Sequence, residues 1–99
     1  MIKIRILKED NNIKKISITG HSGYEEAGKD IVCAAVSSTA ITTVNNILSL
    51  DKTIDYIESN GSLIIVVTKT DKVTQKLLNN MVSMLSELEN DYKKYIQII

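Results

Sequence analysis

Ile16-Ser17-Ile18-Thr19-Gly20-His21-Ser22-Gly23-Tyr24-Glu25-Glu26-Ala27-Gly28-Lys29-Asp30-Ile31-Val32-Cys33-Ala34-Ala35-Val36-Ser37 is the stretch in which the chain changes its period. The first four residues alternate apolar and polar, the spacing of a half-buried strand. From Asp30 onward the spacing is helical. Val36, Ala40, Val44 and Ile47 share one face, with Cys33, Ser37, Ile41 and Leu48 alongside. Asp30 is a good N-cap, because its carboxylate can accept a hydrogen bond from an unpaired backbone N–H of the first turn. The many β-branched residues weaken helix propensity, but length and the cap decide for a helix. Between strand and helix, Ser22 to Lys29 has no apolar periodicity and two glycines, so a mobile loop is expected there.

Upstream, Met1 to Leu7 alternates, with Ile2, Ile4 and Ile6 on one side and Lys3 and Arg5 on the other. The polar run Lys8 to Asn12 supplies turn residues, so the first twenty residues predict an antiparallel hairpin. His21 then stands just past the end of its second strand. Downstream, Asn60-Gly61 lies between the β-rich runs Thr53–Ser59 and Ser62–Thr68. That predicts a two-residue type I′ hairpin with positive φ at both central residues. Leu63-Ile64-Ile65-Val66-Val67 is apolar on both faces, and two helices can cover only one of them. A homodimer across the other face, or across a sheet edge, is expected.

Asp71 suits the cap of a second helix. Val73, Leu77, Met81, Leu85 (or Met84), Leu88, Tyr92 and Tyr95 form one apolar stripe along it. Tyr95 to Ile99 can break away as a short terminal strand, with Ile96 and Ile98 on one side. The order ββαββα, with that strand, predicts an α+β fold. It is a two-layer sandwich in which two helices cover one face of an antiparallel sheet of two hairpins.

The chain has 99 residues, enough for one domain that buries about two thirds of its unfolded surface. Twelve basic and twelve acidic residues balance, and no basic stripe appears, so nucleic-acid binding is disfavoured. The four tyrosines are too scattered for base stacking. A single cysteine and no apolar signal segment before the first strand point to the cytoplasm. Ile31 to Leu50 is uncharged, yet eight of its twenty residues are Ser, Thr or Asn. It is therefore expected to be a mostly buried helix of a soluble domain and not a membrane span.

The chemistry concentrates in the opening stretch, which holds the only histidine, His21, and the only cysteine, Cys33. With Asp30 as the cap, Cys33 is the third residue of the helix, at the positive end of the macrodipole. That position favours the thiolate. A histidine at the strand exit can fold over the helix start, the usual pairing for a thiol nucleophile with a general base. The bland reading is a small buried hydrophobe at Cys33 and an ordinary loop histidine at His21. Gly20 and Gly28 suit the backbone turns before the histidine and into the helix. No Lys-Ser/Thr pair follows in P-loop spacing, so neither glycine is expected to touch a phosphate. One His, one Cys and scattered carboxylates show no metal-ligand spacing, so neither a metal nor a cofactor is expected.

Gly20-His21, Tyr24, Gly28 and the contiguous Asp30-Ile31-Val32-Cys33-Ala34-Ala35-Val36-Ser37 closely resemble the signature of the ribosomal-processing cysteine protease family, Prp. The resemblance covers essentially the whole chain, 1–99, as a single cysteine protease domain. It implies a small cytoplasmic homodimeric cysteine endopeptidase of bacteria, especially Firmicutes. Such an enzyme removes the short N-terminal extension of large-subunit ribosomal protein twenty-seven, after a hydrophobic, aromatic-containing motif. By the match, Cys33 is the nucleophile and His21 the general base and later acid. Asp30 and Ser37 are nearby motif residues. Ser22, Gly23, Tyr24 and Gly28 belong to a substrate loop.

The residues themselves leave several roles open. Asp30 either orients His21 or only caps the helix, and Ser37 either bonds within the site or packs the helix. Backbone N–H groups at the helix start, including that of Cys33, are candidate oxyanion donors. Tyr24 lines the cleft or covers the core. The rival class is a non-enzymatic ribosome-associated binding or assembly module in which Cys33 is structural. A thiol redox sensor is weaker, since no second cysteine is present to resolve it.

Overall fold

The structure is a computed structural model that describes residues 1–23, 25 and 30–99. Two helices lie on one face of a five-stranded sheet, an α+β fold. The strands are β1 (Ile2–Glu9), β2 (Asn12–Thr19), β3 (Ile54–Ser59), β4 (Ser62–Val67) and β5 (Ile96–Ile98). The helices are α1 (Ile31–Leu50) and α2 (Lys72–Asp91). The sheet order is β3-β4-β2-β1-β5. β5 pairs parallel to β1, Ile2 opposite Ile96 and Ile4 opposite Ile98, so the sheet is mixed and not purely antiparallel. α2 returns the chain across the sheet, and the last strand therefore runs in the direction of β1. Glu89 fastens it, accepting the Ile98 N–H at 2.6 Å.

β1 and β2 alternate as expected, and Ile2, Ile4, Ile16 and Ile18 are buried under the helices. A bulge between Leu7 and Lys8 resets the phase. Ile13 and Ile16, three residues apart, can thereby both be fully buried. The β1–β2 turn has positive φ at both Asp10 (52°) and Asn11 (64°), the requirement of a type I′ turn. The type I′ expectation at Asn60-Gly61 is not met: of that pair only Gly61 has positive φ, 74°. The physical reason is a tertiary bond, because the Gly61 carbonyl accepts the Gly20 N–H at 2.8 Å and docks the turn on the end of β2.

α1 starts where Asp30 caps it, with Oδ1 accepting the Cys33 N–H at 2.9 Å. Its buried face is Val32, Val36, Ala40, Thr43, Val44 and Ile47. The helix is thus buried on one side only, not mostly buried. By length and composition it passes as a membrane span, but in this fold its apolar face packs into the core. Thr39 and Thr43 turn their hydroxyls back to the carbonyls four residues earlier, which satisfies them inside the helix.

α2 is capped by Asp71, which accepts the Thr74 N–H at 2.8 Å. Its apolar stripe is rotated from the expected one. Leu78, Met81 and Leu85 are fully buried, whereas Val73 is 55% and Met84 45% exposed. Leu77, Leu88, Tyr92 and Tyr95 pack at the edge of the core. Polar contacts set that rotation. Buried Gln75 accepts the Ile13 N–H at 2.7 Å and donates to the Ile13 carbonyl at 2.8 Å, and Thr74 meets Thr53 at 2.6 Å.

Candidate active site

Four pieces of chain converge at one end of the sheet: the β2 exit, the start of α1, the β3–β4 turn and the beginning of β1. Together they line a cleft of about 230 Å³. Its apolar floor includes Ile2, Ile18, Val36 and Leu63. Its polar wall carries His21, Cys33, Ser37 and Glu58. Strand pairing explains the convergence, since β2 lies beside β4 with Thr19 opposite Ser62. The end of β2 and the β3–β4 turn are therefore neighbours.

Gly20 follows the last residue of β2 with φ of 94°, and a Cβ there would collide with the Met1 carbonyl oxygen. Only glycine fits. Its N–H donates to the Gly61 carbonyl. His21 follows at once and is exposed, its ring resting against the Gly61 backbone.

Ser22 is buried, and its two polar groups tie the strand exit to the helix start. Its backbone N–H points at the Cys33 sulfur, 3.3 Å from Sγ. Its hydroxyl donates to Asp30 Oδ2, while Oδ1 of the same carboxylate takes the Cys33 N–H. Burial pushes the Asp30 carboxyl upward. Hydrogen bonds from the Ser22 hydroxyl and the Cys33 backbone and thiol, with Val32, outweigh it and hold the group below the usual aspartate value. Among the described residues the partners of the Asp30 carboxylate are thus Ser22, Val32 and Cys33, not His21.

The Cys33 N–H, an expected oxyanion donor, is committed to the cap. Ser37 is exposed and lines the cleft one turn beyond Cys33. Gly23 is exposed with φ of 72°. Tyr24 and Gly28, expected in the substrate loop, lie outside the described residues.

Two features were not anticipated. Ser22 was expected only as a loop residue, yet it joins Asp30 across eight positions of sequence. The β3–β4 turn forms a wall of the cleft, for which the Asn-Gly pair signalled a hairpin but not its place. A half-buried thiol at a helix amino terminus, with a backbone N–H directed at its sulfur and an imidazole in the same cleft, has the parts needed for thiol acyl transfer.

Comparison with known proteins agrees. The family model described as cysteine protease Prp matches residues 1–97. The ribosomal processing cysteine protease Prp of Bacillus subtilis is 27% identical over 97 residues, covering 90% of this chain and 87% of that protein. Its Staphylococcus aureus counterpart is 30% identical over 104 residues, covering 99% and 97%. A crystal structure of the essential ribosomal processing protease Prp from S. aureus, with a covalently linked product peptide, superposes with a TM-score of 0.90. It shares 28% identity and covers 99% of this chain and 97% of its own. A second, with a substrate peptide, gives 0.85 at 25% identity, covering 100% and 98%. On the strength of a match that runs through nearly every residue, the chain belongs to the Prp family and is a cysteine protease.

Proposed function

We propose that residues 1–99 act as one cysteine endopeptidase domain that removes the N-terminal extension of a large-subunit ribosomal protein precursor, protein twenty-seven. The observation that carries this reading is the shared cleft, in which the Cys33 sulfur lies at the capped start of α1 and His21 at the exit of β2. The relatives named for ribosomal processing, and the S. aureus enzyme's complexes with substrate and product peptides, support the substrate class.

In this mechanism His21 takes the Cys33 thiol proton, and the sulfur attacks the scissile carbonyl. The tetrahedral intermediate collapses as His21 returns the proton to the leaving amine, which departs as the new N-terminus. A thioester remains on Cys33. Water, deprotonated by His21, hydrolyses it and frees the enzyme. Asp30 keeps the helix capped and holds Ser22 over the sulfur, a supporting role alongside Ser37 and Gly20. The loop with Ser22, Gly23, Tyr24 and Gly28 meets the substrate.

The apolar floor of the cleft suits a hydrophobic recognition motif. Processing of a ribosomal protein precursor is a cytoplasmic task. A homodimer would cover the open sheet face, where Leu7, Ile57 and Val66 are 59%, 68% and 40% exposed. Incubation with the precursor, followed by mass spectrometry of the product, tests the substrate. A single new N-terminus after the extension is expected, and an intact precursor would overturn the assignment.

A further inference from the structure

Opposite the imidazole of His21 stands a backbone. A Cβ at Gly61 would lie 2.8 Å from His21 Nε2, 3.4 Å from Cε1 and 3.5 Å from Cδ2. Optimal contact for such atoms is about 3.5–4.0 Å. The Nε2 end of the ring is therefore seated over the bare Cα of the turn.

The seat is fixed on both sides. The Gly20 N–H bonds the Gly61 carbonyl at 2.8 Å, and the next pair, Thr19 and Ser62, is in register in the sheet. Gly20 is itself closed in by the Met1 carbonyl. Neither backbone can move aside without breaking strand pairing. The ring, exposed and joined to the chain by rotatable bonds, is the part that yields.

From this geometry we infer that Gly61 is a positioning residue for the proposed base: its missing side chain lets the β3–β4 turn serve as the wall that aims the His21 imidazole into the cleft with Cys33. The inference rests on the proposed role of His21. It goes beyond that role by placing a determinant of catalysis forty residues away in sequence, on a different hairpin.

Gly61 has φ of 74°, so substitution brings two effects, backbone strain and displacement of the ring. Two variants separate them. Gly61→Asn adds a Cβ but tolerates positive φ, whereas Gly61→Ala adds the Cβ together with the strain. Each is made with His21 intact and with His21→Ala, and four readouts are taken. These are thermal unfolding, kcat and KM on a peptide spanning the cleavage junction, and the pH dependence of Cys33 alkylation by iodoacetamide.

Gly61→Asn is expected to unfold near the wild-type temperature, yet lose roughly 10²-fold in kcat, the scale of a misplaced catalytic group. The pH profile of alkylation should change with it. In the His21→Ala background the same substitution should alter neither alkylation rate nor profile. Wild-type kcat in folded Gly61→Asn would overturn the inference, as would an equal loss of alkylation rate without His21. If Gly61→Ala unfolds, Gly61→Asn alone decides. Wild-type turnover by His21→Ala would instead sink the proposed base itself, an outcome distinct from failure of the Gly61 inference.

Discussion

Asp30 makes two connections with one carboxylate, capping α1 through the Cys33 N–H and holding the Ser22 hydroxyl. Asp30→Ala removes both. Loss of an N-cap costs about 1 kcal/mol, and the released Ser22 no longer presents its N–H to sulfur, so both melting temperature and turnover should fall. Asp30→Asn keeps a capping oxygen and should recover most of the stability.

The pH dependence follows from the depressed carboxyl. Between its folded value and the unfolded one of about 3.9, the unfolded chain binds more protons. The Asp30 contribution is therefore complete above about pH 4 and disappears as pH falls through the folded value. Urea titrations of wild type and Asp30→Asn should diverge at pH 6 and converge at strongly acidic pH. A constant difference would contradict the assignment. Of these residues, Cys33 was legible in advance, because Asp30 three positions earlier places it in the first turn. Ser22 was not, since its partner is reached only after the chain has folded.

At the scale of elements, α2 shows where periodicity alone misleads. An apolar count places Val73 on the inner stripe, but Thr74 and Gln75 take the inward positions by hydrogen bonding to Thr53 and Ile13. Val73→Ala should change stability by only a few tenths of a kcal/mol, within the range of surface substitutions of about 0.5 kcal/mol. Leu78→Ala, at a fully buried site, should cost about 2–5 kcal/mol. Gln75→Leu strands the buried Ile13 N–H and carbonyl, each worth about 1–3 kcal/mol when left unpaired. Denaturant midpoints check all three, and a destabilising Val73→Ala beside a neutral Leu78→Ala would refute the observed rotation. The hairpins teach the same lesson. Asn60-Gly61 marked the right place for a turn, but the bond to Gly20 chose its type.

For the whole molecule, the order of strands and helices and their two-layer arrangement were legible from alternation, caps and turn residues. The parallel direction of β5 was not, because it depends on which edge of the sheet α2 delivers the chain to. The cleft was not legible either, since it exists only when β4 inserts beside β2. The sheet's open face carries the proposed self-association, with Leu7 and Val66 in one cross-strand row and Ile57 and Ile64 in the next. Ile57→Lys should shift equilibrium sedimentation toward monomer by tenfold or more in dissociation constant, about 1.4 kcal/mol. A wild-type monomer at every concentration would remove the dimer.

The central claim is attack by the Cys33 sulfur on the precursor's scissile carbonyl. Wild type and Cys33→Ala, each at excess enzyme over precursor, are quenched in acid over a time course and analysed by mass spectrometry. Wild type should release the shortened ribosomal protein, while folded Cys33→Ala leaves the precursor whole. Release of the same N-terminus by Cys33→Ala at the wild-type rate would contradict the account.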